Sequence, residues 1–284
     1  MRYVEPSRRP ARAPAALACI ALVLLSACVA PVPVLEPDPI TFALMGSTAP
    51  ESPFNAVSPW LEKAVLAINA ENPVFIMHTG DIVFGGDSSM GIKEADVRRQ
   101  FDEFAAGTAR ALPILYTMRG ELDAHAGSPG LYVRSTGRPA WYSFNYGNLH
   151  FAVLDTNDPE PGMIGPAQLR WLEEDLKTAA GCPAVFVFTH HPVVLPQAAF
   201  YGATPETLRN AGALTAVLAR YPVKAVFSGH LRSGFTEKKD GILYVTAGCG
   251  NYNEKLPFAP ENQYYLVRYN GRDVTVTEKK INTK

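Results

Sequence analysis

Short, continuously apolar runs alternate with helical patterns along most of this chain, and that alternation restricts the folds open to it. Nine runs have the length and composition of strands: residues 41–45, 74–78, 114–118, 141–146, 150–154, 184–189, 225–228, 242–246 and 264–269. Helical patterns fit residues 59–69, 93–106, 165–179 and 205–220. Strands without polar alternation are buried on both faces, so the pattern predicts sheets covered by helices. From Gly234 onward, the segments look more like antiparallel hairpins.

A single domain is expected from residue 40 to residue 284. Of the 284 residues, 47% are apolar and 19% are charged, which supplies one sizeable core and excludes a disordered or fibrous chain. Four of the 26 basic and one of the 27 acidic residues lie before Cys28, which leaves 22 and 26 after it, a formal charge of −4. Nucleic-acid binders usually carry a basic face, so we expect no nucleic-acid partner.

The first 27 residues differ from the rest and predict an export signal. Four arginines, Arg2, Arg8, Arg9 and Arg12, precede an apolar run over residues 15–27. A basic stretch followed by a short apolar run is typical of a signal peptide. Because a membrane-spanning helix needs about 20 apolar residues, this run is too short for a permanent span.

The run ends in Leu-Ser-Ala-Cys at residues 25–28, which resembles the bacterial lipobox. The resemblance implies that Cys28 is acylated and anchors the chain to a membrane, since two or more acyl chains anchor a protein stably. Val29 in place of an aspartate implies an outer-membrane lipoprotein that faces the periplasm. An ordinary signal peptide cut near Ala30, or a buried Cys28, is the alternative. The Pro-rich residues 28–39 then form an extended tether.

Cysteine usage follows from that location. Cys19 is removed with the signal, which leaves Cys182 and Cys249 in an oxidising compartment. A disulfide is open to them, but they lie at opposite ends of their predicted strands, and we favour two unpaired thiols.

Polar residues follow five of the predicted strands. In layered α/β folds, ligands bind outside the carboxyl ends of the strands, so these residues are the candidates for a site. They are Met-Gly-Ser-Thr-Ala at 45–49, His-Thr-Gly-Asp at 78–81, Arg-Gly-Glu-Leu-Asp at 119–123, Thr-His-His-Pro at 189–192 and Ser-Gly-His-Leu-Arg at 228–232. Each alone is more often a turn. Their order and spacing together are specific.

The series resembles the calcineurin-like metallophosphoesterases over about residues 40–280. That family's pattern runs Asp-x-His, Gly-Asp, Gly-Asn-His-Asp/Glu, a His often followed by Pro, and Gly-His-x-His. The resemblance implies a four-layer αββα sandwich of two mixed β-sheets flanked by helices. It also implies two metal ions about 3.5–4 Å apart that hold a phosphate ester and activate water.

One of the two implied cations keeps a full set of candidate ligands. By the resemblance, the bridging aspartate is Asp81, and His190 and His230 are the imidazole ligands. Glu121 stands where the family has asparagine, and a carboxylate is an acceptable ligand. These four residues predict a site for one Zn²⁺, Mn²⁺ or Fe²⁺ ion. The alternative is that Glu121 only forms an ion pair with Arg119 or Arg232.

The other implied cation has lost three ligand positions of four. They are occupied by Ser47, Ala49 and Arg232, and neither alanine nor a guanidinium binds a cation. We therefore expect the second metal to be absent. Arg232 itself suggests that a fixed positive charge replaces that metal and pairs with Asp81 or with a bound phosphate. A solvent-facing arginine is the alternative.

The position of the family's catalytic histidine is Leu122, which has no proton to donate. Loss of a general acid commonly costs about 10²- to 10⁴-fold in rate. Asp123, which in the family orients that histidine, has no such partner here. His191 follows a predicted ligand and is expected to line the pocket, so we assign Asp81, Arg232 and His191 to the reaction. His125 is a second candidate acid.

Two further histidines and one loop complete the inventory. His78 and His150 lie within apolar strands and are expected in the core. Asn251 and Tyr252 follow a strand on the same rim, where a ligand contact and a simple turn explain them equally well.

Two functions are compatible with these residues. The first is a phosphoric ester hydrolase of the calcineurin-like family that works with at most one metal. The second is an inactive pseudo-phosphoesterase that binds a phosphorylated ligand or an envelope partner without turnover.

Overall fold

The computed structural model describes residues 39–57, 60–195, 207–248 and 262–281, within a unit that spans Glu36–Lys284. Its strands are β1 Ile40–Met45, β2 Phe75–His78, β3 Ile114–Thr117, β4 Tyr142–Tyr146, β5 Leu149–Val153, β6 Asn157–Asp158, β7 Met163–Ile164, β8 Val185–Thr189, β9 Val223–Ser228, β10 Phe235–Lys239, β11 Ile242–Thr246, β12 Gln263–Tyr269 and β13 Val274–Lys280. Its helices are α1 Trp60–Ala70, α2 Glu94–Thr108, α3 Gly130–Thr136, α4 Pro166–Thr178 and α5 Ala211–Leu218, with a 3-10 turn at Ser88–Met90.

Two large mixed sheets form the centre of the fold. The five-stranded sheet has the order β13-β12-β1-β2-β3, and the six-stranded sheet has the order β10-β11-β9-β8-β5-β4. Neighbouring strands run parallel in both sheets: β1, β2 and β3 in one, and β5, β8, β9 and β11 in the other. The carboxyl ends of these parallel strands therefore collect on one edge of their sheet.

The two sheets pack face to face through an aromatic core. Phe42 of the five-stranded sheet stacks on Phe75 at 4.8 Å and meets Phe227 of the other sheet edge-on at 5.5 Å between ring centroids. Phe151 and Phe186 stack at 5.2 Å on the facing sheet. All of these rings are buried, and burial of such side chains stabilises a fold by about 1.5–3 kcal/mol each.

Helices cover the outer faces of both sheets. Trp60 and Phe101, from α1 and α2, pack against the outer face of the five-stranded sheet. Leu172 and Leu214, from α4 and α5, pack against that of the six-stranded sheet. The order of layers is helix, sheet, sheet, helix, and this confirms the predicted αββα sandwich.

The predicted elements are found close to their expected bounds, with one helix corrected. The pattern over residues 205–220 predicts a helix that begins too early, because α5 begins at Ala211. The preceding described residues are held in another way: Leu208 N–H donates to the Pro192 carbonyl and Arg209 N–H to the Gly162 carbonyl. Those bonds take the amides of Leu208 and Arg209 away from a helical pattern, and residues 205–206 lie outside the described residues.

The apolar and helical patterns of the sequence do not predict the strands β10 and β13 or the helix α3. β10 and β13 are outermost in their sheets and expose many side chains, so they lack the apolar runs that mark the central strands. Both form the antiparallel hairpins expected after Gly234. Among the described residues, no helix is both long and apolar enough to cross a bilayer.

Candidate metal centre

Four side chains with oxygen or nitrogen donors meet at the carboxyl ends of the parallel strands. Asp81 follows β2, Glu121 follows β3, His190 follows β8 and His230 follows β9. One donor atom from each residue lies within 4.8 Å of the donor atoms of the other three. The structure thus brings together the four ligands proposed from the sequence, two from each sheet.

Glu121 lies at the centre of the group. Its Oε2 is 2.5 Å from His190 Nε2, and its Oε1 is 2.9 Å from His230 Nδ1. Asp81 Oδ2 lies 3.5 Å from His190 Nε2. Despite these short separations, Glu121 Oε2, His190 Nε2 and His230 Nδ1 are buried and none makes a hydrogen bond of good geometry.

Buried polar atoms without partners are rare, because each costs about 1–3 kcal/mol. Here three buried atoms meet as close carboxylate–imidazole pairs outside good hydrogen-bond geometry, and all belong to residue types that bind divalent cations. Two carboxylates and two imidazoles form a mixed oxygen and nitrogen set that suits Zn²⁺, Mn²⁺ or Fe²⁺. The residues present therefore fit one metal ion of the kind that the sequence predicts.

The ring of His190 is fixed by a bond on its far side. Its Nδ1 donates to the Thr79 carbonyl at 2.7 Å, which leaves the lone pair of Nε2 directed toward Glu121 and Asp81. Such a bond to the second ring nitrogen is the usual way in which a protein sets the tautomer of a ligating histidine. Thr79 carries no sequence signal for this role, because the contact uses its backbone.

The charges of the site favour a cation. Burial opposes protonation of His190, but Asp81 and Glu121 together raise its pKa well above the ordinary value. Burial likewise opposes ionisation of Glu121, but His190 and His230 hold its pKa below the usual range. A proton on His190 offsets one of the two negative charges of Asp81 and Glu121. A divalent cation would replace that proton, since metal binding releases protons from its ligands.

The backbone at two donor residues is held in the left-handed region. Asp81 has φ 55° and His230 has φ 67°, and Gly80 before Asp81 has φ 91°. Left-handed backbone at non-glycine residues is a form of strain that clusters at functional sites. A Cβ on Gly80 would lie 2.5 Å from His190 Nδ1, so this position has no room for a side chain.

Asp123 has a structural role that the sequence reading leaves open. Its Oδ1 accepts from the amides of Ile82 at 2.7 Å and Val83 at 3.1 Å, and its Oδ2 from Gly120 at 2.8 Å. Burial and the nearby Asp81 raise the pKa of Asp123 to about 7, against the effect of those amides. Asp123 therefore ties the loop that carries Asp81 to the loop that carries Glu121.

The alternative in which Glu121 pairs with Arg119 is wrong. The Arg119 guanidinium is buried and donates to Asp155 Oδ2 through Nε at 3.0 Å and Nη2 at 2.8 Å. Arg232 is exposed, and among the ion pairs of the described residues none involves it. Its predicted contact with a bound phosphate remains a prediction.

Two positions of the second implied cation, Ser47 and Ala49, lie against the backbone carbonyl of Asp81 and offer no comparable donors. Ser47 Oγ donates to the Asp81 backbone carbonyl at 3.1 Å. The amides of Thr48 and Ala49 donate to the same carbonyl, both at 2.9 Å. This segment supports the backbone of Asp81 and presents no carboxylate or imidazole.

Of the four remaining histidines, one lies at the site, two lie in the core and one lies outside both. His191 is buried, and its Nε2 lies 4.0 Å from Glu121 Oε2. His78 and His150 are buried as predicted; His150 lies between Asn145 Oδ1 and Asp175 Oδ2, each at 2.8 Å. His125 makes a backbone bridge with Gly86 and is outside the group of four donors.

Several predictions concern residues that the structure does not describe. Cys28, Cys249, Asn251 and Tyr252 lie outside the described residues, as do the signal segment and the tether up to Asp38. Cys182 is a half-buried free cysteine, and the expectation of two unpaired thiols remains a prediction.

Comparison with known proteins places this geometry in context. Residues 50–231 match the family model described as calcineurin-like phosphoesterase. A cAMP/cGMP dual specificity phosphodiesterase of Mycobacterium tuberculosis is 34% identical over 113 residues, 39% of this chain and 35% of that protein. This chain thus spans about a third of the length of that curated relative.

Solved structures share the fold at low sequence identity. A purple acid phosphatase from yellow lupin seeds superposes with a TM-score of 0.60 at 15% identity, over 88% of this chain and 52% of that one. GAP50, the anchor in the inner membrane complex of Plasmodium, gives a TM-score of 0.56 at 14% identity, over 87% and 90% of the two chains.

Proposed function

The chain belongs to the calcineurin-like phosphoesterase family, and from that premise we propose that it is a phosphoric ester hydrolase that works with one divalent cation. Asp81, Glu121, His190 and His230 would hold the cation. The observation that carries the proposal is the convergence of two carboxylates and two imidazoles whose donor atoms all lie within 4.8 Å of one another.

A cation at this site supplies two kinds of chemistry when bound: it polarises a phosphoryl oxygen and lowers the pKa of a bound water toward neutrality. The chain's own residues prepare that site. Thr79 fixes the tautomer of His190, and the Leu122 amide donates to Asp81 Oδ1 at 3.1 Å, which orients that carboxylate. Both contacts fix donors in place before any ligand arrives.

Arg232 is the residue we assign to the phosphate, and His191 lines the cation site. The exposed Arg232 guanidinium offers the planar pair of donors that recognises phosphate oxygens. The buried His191 stands beside Glu121 with Nε2 unpartnered. Leu122 stands at the family's general acid position, so we expect slow hydrolysis of esters whose leaving groups need no protonation.

The substrate class is a phosphate monoester or diester. The family implies a phosphate ester, and the relative from Mycobacterium tuberculosis is named as a phosphodiesterase. The name of that relative makes a phosphodiester the first class to test, and its match covers 39% of this chain.

The second candidate function is a pseudo-phosphoesterase that binds a phosphorylated ligand or envelope partner without turnover. The observations in its favour are Leu122 at the acid position and the absence of metal donors at Ser47, Ala49 and Arg232. A charged arginine beside a single cation would still retain phosphate.

Metal analysis and a turnover screen on the purified full chain separate the two functions. We expect one equivalent of Zn²⁺, Mn²⁺ or Fe²⁺ and measurable hydrolysis of p-nitrophenyl phosphate or bis(p-nitrophenyl) phosphate. Activity that disappears in Asp81→Asn supports the hydrolase. A chain that loads metal and binds inorganic phosphate without hydrolysing either ester supports the pseudo-phosphoesterase, and a chain that binds no metal contradicts the hydrolase proposal.

The assignment of phosphate binding to Arg232 has its own test. Arg232→His removes the guanidinium, and we expect inorganic phosphate to bind about tenfold more weakly, or weaker still. Arg98→His changes another exposed arginine, on α2, and serves as the matched control. Equal phosphate affinity in the two variants would contradict the role of Arg232.

We also propose that residues 1–27 direct export and that Cys28 is acylated, so that the domain is an outer-membrane lipoprotein facing the periplasm. The support is the order of basic and apolar segments and the motif at residues 25–28. Expression with labelled palmitate tests this in a Gram-negative host. Label in the intact chain but not in Cys28→Ser supports the anchor, whereas label in neither contradicts it.

A further inference from the structure

We propose that His191 is a third imidazole ligand of the cation, which it binds through Nε2. The inference rests on the proposed single-cation site and extends it beyond the four residues at the family's ligand positions. It adds a third imidazole to the site, and because His191 lies outside the group whose donor atoms are all within 4.8 Å of one another, its ring has to shift toward the cation to bind.

The first argument is the location of the ring. His191 is fully buried, and its Nε2 lies 4.0 Å from Glu121 Oε2. Two donors held by one Zn²⁺ ion at about 2.0–2.2 Å are at most about 4.4 Å apart, so this separation is compatible with a shared ion. It is too long for a hydrogen bond, so Glu121 does not satisfy Nε2 directly.

The second argument is that Nε2 has no other partner. It is buried without a hydrogen bond, like His190 Nε2 and His230 Nδ1. All three unpartnered nitrogens belong to rings that surround Glu121. Their centroids are 5.3 Å apart for His190 and His191, 4.6 Å for His191 and His230, and 5.3 Å for His190 and His230. Three imidazoles thus form a nearly equilateral cluster around one carboxylate.

The third argument is the anchor on the opposite ring nitrogen. His191 Nδ1 lies 2.8 Å from Thr156 Oγ1, and the same oxygen accepts from the His191 backbone amide at 3.1 Å. The Thr156 hydroxyl accepts from the amide, and it either accepts from Nδ1 or donates to it, so the contact fixes the ring plane in both tautomers. When Nδ1 carries the proton, Nε2 has a lone pair directed toward Glu121. The partner of His190 Nδ1 is a carbonyl, which only accepts, so that tautomer is set by its contact.

Without a bound cation each tautomer leaves one buried donor unsatisfied. A proton on Nε2 finds no acceptor among the described residues, and a proton on Nδ1 leaves the Thr156 hydroxyl without one. An unsatisfied buried donor costs about 1–3 kcal/mol. A bound cation would select the second tautomer, because it satisfies the lone pair of Nε2.

X-ray absorption of the Zn²⁺-loaded full chain tests the proposal directly, because it counts imidazole ligands. We expect three in the unmodified chain and two in His191→Gln, with Zn²⁺ affinity at least about 10- to 100-fold weaker in a chelator competition. His150→Gln is the matched control: it alters a buried histidine that bonds to Asp175, and both the count and the affinity should remain unchanged.

The outcomes distinguish this inference from the proposed function. Two imidazoles and equal affinity in the unmodified chain and in His191→Gln would overturn the ligand role and leave the single-cation site intact. An unmodified chain that binds no Zn²⁺ would overturn both. If His191→Gln does not fold, Thr156→Val removes the Nδ1 anchor with little change of shape; weaker Zn²⁺ binding that Thr156→Ser restores supports the proposal, and unchanged binding contradicts it.

Discussion

The two sides of Asp81 compare sharply. On one side, Glu121, His190 and His230 bring carboxylate and imidazole donors within 4.8 Å of it. On the other side, Ser47 and the amides of Thr48 and Ala49 hold its backbone carbonyl and supply no metal donor. The residues that follow the strands therefore supply metal donors on one side of Asp81 and hold only its backbone on the other.

The difference teaches that the positions of a site and the chemistry of its residues are separable. The fold places Ser47 at the end of β1 and Asp81 at the end of β2, next to each other in the sheet. The loop after β1 keeps its structural contacts with Asp81 although it has no ligand side chains. A fold match alone would therefore imply two cations where the residues support one.

Loss of the Asp81 carboxylate should give the largest effect. In Asp81→Asn we expect bound metal to fall from one equivalent to none, and hydrolysis with it, because the donor-bearing side loses half of its negative charge. Elemental analysis after gel filtration measures the change. Asp175→Asn alters an acid on α4 that bonds to His150 and is the control. Metal retained in Asp81→Asn would contradict the role of Asp81 as a ligand.

Gly120→Ala should distort the donor-bearing side with a smaller loss. A Cβ at Gly120 would overlap Asp81 Oδ1 and the Asp81 amide, so Asp81 must move. We expect unfolding to become easier by about 1–3 kcal/mol, together with weaker metal binding. Gly181→Ala is the control, because no atom lies within 4 Å of its added Cβ. Denaturant titration measures the free energy of unfolding of both variants. An equal value for Gly120→Ala and Gly181→Ala would contradict the tight packing described for this loop.

Supplying ligands on the other side should raise the metal content by one equivalent. The triple variant Ser47→Asp, Ala49→His and Arg232→His gives that side the family's donors, and we expect two metal ions per chain where the unmodified chain holds one. The size-matched variant Ser47→Asn, Ala49→Gln and Arg232→Gln controls for added bulk. A stoichiometry that stays at one would show that backbone placement, not only side-chain identity, separates the two sides.

His78 connects the two sides and gives the smallest effect, a change in pH dependence. Its Nε2 lies 3.1 Å from Thr48 Oγ1, and its Nδ1 accepts from the Gly80 amide at 3.2 Å. Burial, and then His190, lower the pKa of His78 to about 3. Between that value and 6.5 the unfolded chain binds the extra proton, so stability is complete above pH 6.5 and falls as the pH drops toward 3.

His78→Gln should make that decline shallower, by at most about 1.4 kcal/mol per pH unit. Glutamine is able to keep both contacts of His78 without titrating. Urea unfolding between pH 4 and pH 8 measures the slope. An identical slope in both proteins would contradict a neutral His78 in the folded state.

Sequence patterns predict the layers of the fold and the residues that converge on the site better than they predict the contacts that hold those residues in place. Continuous apolar runs and strand-end motifs identified the central strands, Asp81, Glu121, His190 and His230. The outer strands β10 and β13 went unrecognised because they expose polar side chains. The sequence does not predict that the Thr79 carbonyl holds His190 or that Asp155 pairs with Arg119. A backbone contact, and a pairing between residues 36 positions apart, leave no local pattern.

The bond from His190 to the Thr79 carbonyl has one more consequence. Thr79 follows a strand of one sheet and His190 a strand of the other, so the bond acts as a clasp between the two halves of the sandwich. Because the acceptor is a backbone carbonyl, no change of side chain at position 79 removes it. The direction in which the His190 imidazole faces the acids is therefore set by how the two sheets pack against each other.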